Sequence, residues 1–154
     1  VNQKEDWQAR VTISPATWRD WRSTIAFEKL CFGKEAWAAL DIAAALTLPN
    51  IVRLKAEYDN QMIGLVVGNL RPSQRMAWIA TIGVHPDYRR RGLGQRLLRT
   101  CEKAMGMPRI KLTLRVSNLA ALSLYRQEGY HQIDTWRNYY TNGEDALVME
   151  KWMP

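Results

Sequence analysis

The stretch from Met76 to Val116 constrains this chain more than any other. Met76 to Val84 is nearly all apolar and reads as a strand buried on both faces. His85-Pro86-Asp87 ends it. Gly92 to Ala104 reads as an amphipathic helix, with Leu93, Leu97, Leu98 and Cys101 on one face and Arg96, Arg99 and Lys103 facing out. Gly106 and Pro108 stop it, and Ile110 to Val116 alternates as a further strand. Strand, helix and strand in this order make a βαβ crossover. The loop that opens the helix is Arg89-Arg90-Arg91-Gly92-Leu93-Gly94. A helix start presents unpaired backbone N–H groups and the positive end of the helix dipole, so it suits phosphate oxygens. Glycines allow close approach of a ligand, and arginines add charge-assisted hydrogen bonds. The loop therefore suits a pyrophosphate. It is not a Walker A loop, because no Gly-Lys-Ser/Thr follows. It is not a Rossmann fingerprint, because the third glycine and the later acidic ribose ligand are absent.

The remaining elements follow from period and punctuation. Arg10 to Ser14 reads as a strand, and Thr17 caps a helix over Trp18 to Cys31. Lys34 to Leu46 is a second helix. Ile51 to Tyr58 and Gln61 to Leu70 form a hairpin across Asp59-Asn60, continued by Met76 to Val84. Ser117 or Asn118 caps a helix to Gln127. Tyr130 to Tyr139 and Asp145 to Trp152 are strands joined through Thr141-Asn142-Gly143-Glu144. The order β-α-α-β-β-β-α-β-α-β-β is a mixed α/β domain with an antiparallel front.

At 154 residues, one compact domain over residues 1–154 is expected. No apolar run of about 18 residues exists to span a membrane. No basic segment followed by an apolar one opens the chain as a secretory signal would. Cys31 and Cys101 make neither a disulfide framework nor a metal site, so a reducing cytoplasm is expected. A net charge of +7 favours anionic partners, and eight basic residues between Arg89 and Lys111 face one acid, Glu102. The seven tryptophans are dispersed, as for packing and not for base stacking.

Two motifs then act together. Arg89-x-x-Gly92-x-Gly94 after a buried strand resembles the Arg/Gln-x-x-Gly-x-Gly/Ala signature of the GNAT acetyltransferases. Asn118-Leu-Ala-Ala-Leu-Ser-Leu-Tyr125 with Glu128-Gly129-Tyr130 resembles that superfamily's second motif, at the usual separation. The resemblance implies a single GNAT-type domain. Its sheet would be mixed, mostly antiparallel and seven-stranded, flanked by about four helices, with a splayed cofactor cleft between the fourth and fifth strands. It implies acetyl-coenzyme A as cosubstrate and no metal. Ile82, Gly83 and Val84 would offer backbone groups to the pantetheine arm and thioester. Arg89, Arg90, Arg91, Gly92, Leu93 and Gly94 would hold the pyrophosphate, and Asn118 the pantetheine side. Tyr125 would protonate the departing thiolate, a role that suits a phenol with a reference pKa of about 10. An amine would attack the thioester directly.

Arg137-Asn138-Tyr139-Tyr140 and Gly143-Glu144-Asp145-Ala146-Leu147-Val148-Met149 are similar to the end of the bacterial enzymes that acetylate the N-terminal alanine of a small-subunit ribosomal protein. Leu114-Arg115-Val116-Ser117-Asn118 is similar too. That likeness implies a protein N-terminus as acceptor, with Tyr139 and Tyr140 lining a peptide slot; the same tyrosines also fit as strand-end packing. One position departs. Those enzymes carry a glutamate base on the fifth strand, five residues before the motif asparagine, where this chain has Thr113. Threonine orients water but is no base near neutral pH. Glu28, Glu57, His85 or a water relay stand as substitutes. The other readings are a small-amine acetyltransferase (polyamine, amino acid or aminoglycoside), a non-catalytic acyl-coenzyme A sensor, and, weakest, a nucleic-acid module using the basic stripe.

Overall fold

A computed structural model describes residues 3–154. The strands are β1 (Thr12–Pro15), β2 (Ile51–Tyr58), β3 (Gln61–Arg71), β4 (Met76–Val84), β5 (Arg109–Arg115), β6 (His131–Trp136) and β7 (Ala146–Trp152). The helices are α1 (Gln3–Arg10), α2 (Trp21–Phe32), α3 (Ala39–Thr47), α4 (Leu93–Met105) and α5 (Leu119–Gln127). One seven-stranded sheet runs in the order β1-β2-β3-β4-β5-β7-β6. Every pair is antiparallel except β4 with β5.

Asp59 and Asn60, both left-handed, close the β2–β3 hairpin tightly. Helix α4 lies against β2, β3 and β4, where Leu93, Leu97, Leu98 and Cys101 are buried. The approach is close enough to dictate glycine on β3. A Cβ at Gly64 would stand 2.7 Å from Leu97 Cδ1, and one at Gly68 2.2 Å from Met105 Sδ. On the opposite face Phe27 of α2 and Ile42, Ala45 and Leu46 of α3 pack with Leu65 and Val67 of β3.

The sheet's defining irregularity is at its centre. Strands β4 and β5 pair only through Met76 with Arg109, Ala77 with Ile110 and Trp78 with Lys111. Beyond Trp78 the register of β4 against β3 slips, since Ile79 opposes Gly68 and Thr81 opposes Val67. Ala80 is thus extra, a bulge that turns β4 away from β5. The two strands splay and leave a wedge.

Beyond shifts of one or two residues, the boundaries depart from the sequence reading in four places. Helix α1 precedes β1 and had no counterpart in the sequence reading, so the described residues hold five α-helices around the expected sheet. The first expected helix begins as a 3-10 turn at Trp18–Asp20, with Thr17 and Asp20 in a reciprocal capping box, and α2 starts only at Trp21. The second starts at Ala39, because Gly33–Glu35 forms a separate 3-10 turn. Strand β6 ends at Trp136 instead of Tyr139, since Asn138 is left-handed and its N–H is held by Asp145 Oδ1. Arg96 and Arg99 also do more than face solvent. Arg96 donates to the carbonyls of Gln8 and Val11 (3.0 Å each), and Arg99 pairs with Glu128 at 2.7 Å.

Candidate active site

The wedge between β4 and β5 opens into a cavity of about 680 Å³. Its floor is Ile79 to Ile82 on one strand and Leu112 to Arg115 on the other. Tyr125 of α5 enters from one side, and Glu28 of α2 with Trp37 from the other. Tyr139 and Tyr140, on the β6–β7 connection, form part of the rim. The site is therefore assembled from four distant stretches of sequence around one unpaired gap.

The floor offers backbone. Ile82, Gly83 and Val84 pair with β3 on one side only, and β5 has already diverged on the other. The Val84 carbonyl is partly engaged, accepting from Arg89 Nε at 2.9 Å and from Cys31 Sγ at 3.6 Å. Gly83 is tight on its reverse side. A Cβ there would come within 3.1 Å of Phe32 and 3.3 Å of Phe27.

The glycine loop follows directly from β4 through the turn Pro86–Tyr88. Arg90 and Gly92 are both left-handed, with φ of 61° and 82°. Among the described residues no acceptor meets the N–H groups of Leu93, Gly94 and Gln95, and the first bond of α4 runs from Arg96 N–H to the Gly92 carbonyl. Three amides at a helix start thus await an anion. Helix α1 braces this loop. Trp7 stacks on Tyr88 at 5.7 Å, and the Arg91 guanidinium lies over both rings. Gln8 donates to the Arg91 carbonyl. Arg89 and Arg90 remain exposed.

Asn118 caps α5, its Oδ1 accepting from Ala121 N–H at 3.2 Å, and it also lines the cavity. Tyr125 is 5% exposed and meets Tyr130 edge-on at 5.8 Å. Burial, with a smaller push from Tyr140, drives its hydroxyl well above the ordinary tyrosine value, so the phenol keeps its proton. Burial also raises Tyr140, against the pull of Thr113 and Arg115 beside it.

The rim is tied together by a residue the sequence reading had not singled out. Arg115, at the end of β5, pairs with Glu35 from the α2–α3 connection and with Glu144 from the β6–β7 connection. Its guanidinium lies 3.9 Å from the Tyr140 ring centroid, and Tyr139 meets Tyr140 edge-on at 5.1 Å. The acid of the β6–β7 connection and the arginine at a strand end are each unremarkable in sequence; only the fold makes them one clamp.

Of the substitutes for the missing strand glutamate, the structure brings one into the cavity. Glu28 is 1% exposed and lines it. Glu57 sits on β2, paired with Lys55 at 3.0 Å. His85 spends Nδ1 on Asp87 N–H as a turn residue. Thr113 is on the floor, where the alignment of motifs had put it. Among the described residues no group of three or more His, Cys, Asp or Glu could hold a metal ion, and no helix is long and apolar enough to cross a membrane.

The acetyltransferase (GNAT) family model matches residues 13–130. An N-alpha-acetyltransferase of Sulfurisphaera tokodaii is 32% identical over 108 residues, which cover 61% of this chain and 65% of that one. A ribosomal protein bS18-alanine N-acetyltransferase of Salmonella typhimurium is 31% identical over 147 residues, 90% of each chain. The crystal structure of the ribosomal-protein-S18-alanine N-acetyltransferase from Escherichia coli superimposes with a TM-score of 0.84 at 27% identity, over 92% of this chain and 93% of that one.

Proposed function

Because the chain belongs to the GNAT family and is an acetyl-coenzyme A-dependent N-acetyltransferase, we propose that its acceptor is the α-amino group of a protein N-terminus. One observation carries this reading: the clamped rim of Tyr139 and Tyr140, ordered by Arg115 between two loops. An edge-to-face tyrosine pair at a cavity mouth offers hydroxyls for a peptide backbone and aromatic surface for its first side chains. The likeness over nine-tenths of the chain to an enzyme named for acetylating a protein's terminal alanine supports it.

In this mechanism the free amides at the start of α4 and the side chains of Arg89 and Arg90 hold the pyrophosphate. Arg91 adds charge but is kept against Trp7 and Tyr88. Gly92, Leu93 and Gly94 let the backbone approach. The open edge at Ile82, Gly83 and Val84 and the Asn118 amide hold the pantetheine arm. The thioester then lies in the wedge, the neutral amine attacks its carbonyl, and Tyr125 gives its proton to the sulfur as the bond breaks. The whole chain acts as one domain, in the cytoplasm. The basic stripe does not read as a nucleic-acid track, since Arg96, Arg99, Arg109 and Lys111 are engaged with carbonyls or carboxylates of the chain itself.

The test is thiol release from acetyl-coenzyme A with two acceptor pools. Release with peptides starting in alanine or serine supports the proposal. Release only with polyamines, amino acids or aminoglycosides refutes it in favour of a small-amine enzyme. Tight coenzyme binding with no release from either pool counts against it and leaves another acceptor or a sensor.

A further inference from the structure

Among the described residues, Glu28 is a buried carboxyl group that the fold leaves part-unpaired. It sits in the buried face of α2, beside Thr24 and Phe27. Its Oε2 accepts the Trp37 N–H at 3.2 Å, which fixes the carboxyl group in the cavity wall. Its Oε1 is shielded from solvent and has no hydrogen-bond partner among the described residues. An orphaned buried carboxylate oxygen costs stability, and native structures rarely keep one without a use. Here the carboxyl group belongs to a residue that lines the cavity an amine must enter. That amine arrives as an ammonium ion, carrying the hydrogen-bond donors and charge that Oε1 lacks. Nothing else among the substitutes reaches the place: Glu57 is paired elsewhere, His85 is committed to its turn, and Thr113 has no basic lone pair to offer at neutral pH.

We infer that the Glu28 carboxylate binds the acceptor's ammonium group and takes the proton it must lose, directly or through one water. The N–H bond breaks, and its electron pair stays on nitrogen and forms the new C–N bond at the thioester carbonyl. The C–S bond then breaks, the sulfur takes the Tyr125 proton, and the phenolate recovers one from the acetylated nitrogen. Glu28 returns its proton to solvent, so each turnover releases one net proton. Burial raises the Glu28 carboxyl above the ordinary glutamate value, opposed only by the Trp37 N–H, which moves it toward the range where a base is effective. The titratable groups around it are few. Cys31 lies on its own helix, Lys34 and Glu35 follow on the next turn, and Arg115, Tyr125 and Tyr140 face it across the cavity. Strand β4 carries none, and Asp41 of α3 is exposed.

The inference rests on acetyl transfer to an amine, and not on which amine. The test is Glu28→Gln against Glu28→Ala, with both acceptor pools, across pH. Glutamine keeps an oxygen for the Trp37 N–H and removes the base. Expected for Glu28→Gln is unchanged acetyl-coenzyme A affinity, a fall of about 10²-fold in kcat/KM near neutral pH, and a rate that climbs with pH as the free amine itself deprotonates. If Glu28 were only a brace for Trp37, glutamine would match wild type while alanine failed; that result overturns the inference and leaves the acetyltransferase standing. Loss of activity in Glu28→Gln on small amines, with no wild-type activity on peptides, upholds Glu28 and refutes the N-terminal acceptor. As a measurement free of turnover, the carboxyl carbon resonance of Glu28 should titrate above the ordinary glutamate range, and a midpoint at or below that range overturns the inference.

Discussion

Gly92 and Gly94 are two residues apart in one loop, yet alanine should act on them in opposite senses. Gly92 sits at φ 82°, in the left-handed region, where an L-residue costs about 1–2 kcal/mol. Steric space is not the issue, since a Cβ there would find only Gln8 Nε2 at 3.4 Å. Part of the strain is offset by the smaller unfolded-state entropy of alanine, about 0.4–1 kcal/mol. A net loss of about 1 kcal/mol remains, or roughly 2–4 °C in Tm for a domain of this size. If the loop escapes the strain by moving, the free amides of α4 lose their aim, and acetyl-coenzyme A affinity should fall about 5- to 10-fold. Gly94 differs. Its φ is not left-handed, it lies in the first turn of α4, and a Cβ would meet Leu124 at 3.6 Å and Val84 at 3.8 Å, which is ordinary contact. Alanine there should gain helix propensity, up to about 1 kcal/mol, and raise Tm by up to about 4 °C. Affinity for acetyl-coenzyme A should stay within about twofold, as the family signature's tolerance of alanine at this position suggests; valine should abolish it. Calorimetric Tm and titration of acetyl-coenzyme A on the three variants make the comparison. Equal destabilisation by Gly92→Ala and Gly94→Ala would refute the reasoning, because the backbone difference between the two would then be wrong.

Tyr125→Phe should lower kcat by about 10²-fold with little change in acetyl-coenzyme A affinity, measured by stopped turnover and by titration. The hydroxyl has no protein partner to strand among the described residues, so Tm should hold. Tyr139→Ala should raise KM for an N-terminal peptide more than for a small amine, and equal effects on both would remove the peptide slot. Acid stability should depend on Glu128. Arg99 chiefly, then Gln95, pull this buried carboxyl below its ordinary value of 4.5, against its burial. The folded value being the lower one, the pair's contribution is complete above the unfolded value and is lost as pH falls through the folded one. Tm of the wild type should therefore drop below about pH 4.5, and Arg99→Ala should drop less steeply.

The crossover and its loop were legible because their cues are local. A continuous apolar run, a glycine-bearing turn and a helical stripe each state their own structure, and two motifs at a set separation named the family. The site's remaining parts carry no such cue. Helix α1 is polar apart from Trp7 and Ala9, and its place is set by Arg96, Tyr58 and Tyr88, far along the chain. Glu28 lies on an amphipathic helix where any position one turn from an aromatic looks alike; only the packing of α2 on the sheet makes it a buried carboxylate. Arg115 belongs to an alternating strand, and its two acidic partners come from connections 80 and 29 residues away in sequence. The strand expected to reach Tyr139 stops early for the same kind of reason, since Asp145 and the left-handed Asn138 turn the chain just before the two tyrosines.

The three-residue junction between β4 and β5 has a consequence for endurance. It leaves the sheet as two plates, β1 to β4 and β5 to β7, joined by a short seam and by the helices that bridge them. A molecule lodged in the wedge touches both plates and acts as mortar between them. At a free concentration 100 times its Kd it adds about 2.7 kcal/mol to the stability of the folded chain. Resistance to heat and to proteases should therefore rise and fall with the supply of coenzyme, acetylated or free, so that an emptied wedge shortens the protein's lifetime as well as idling it.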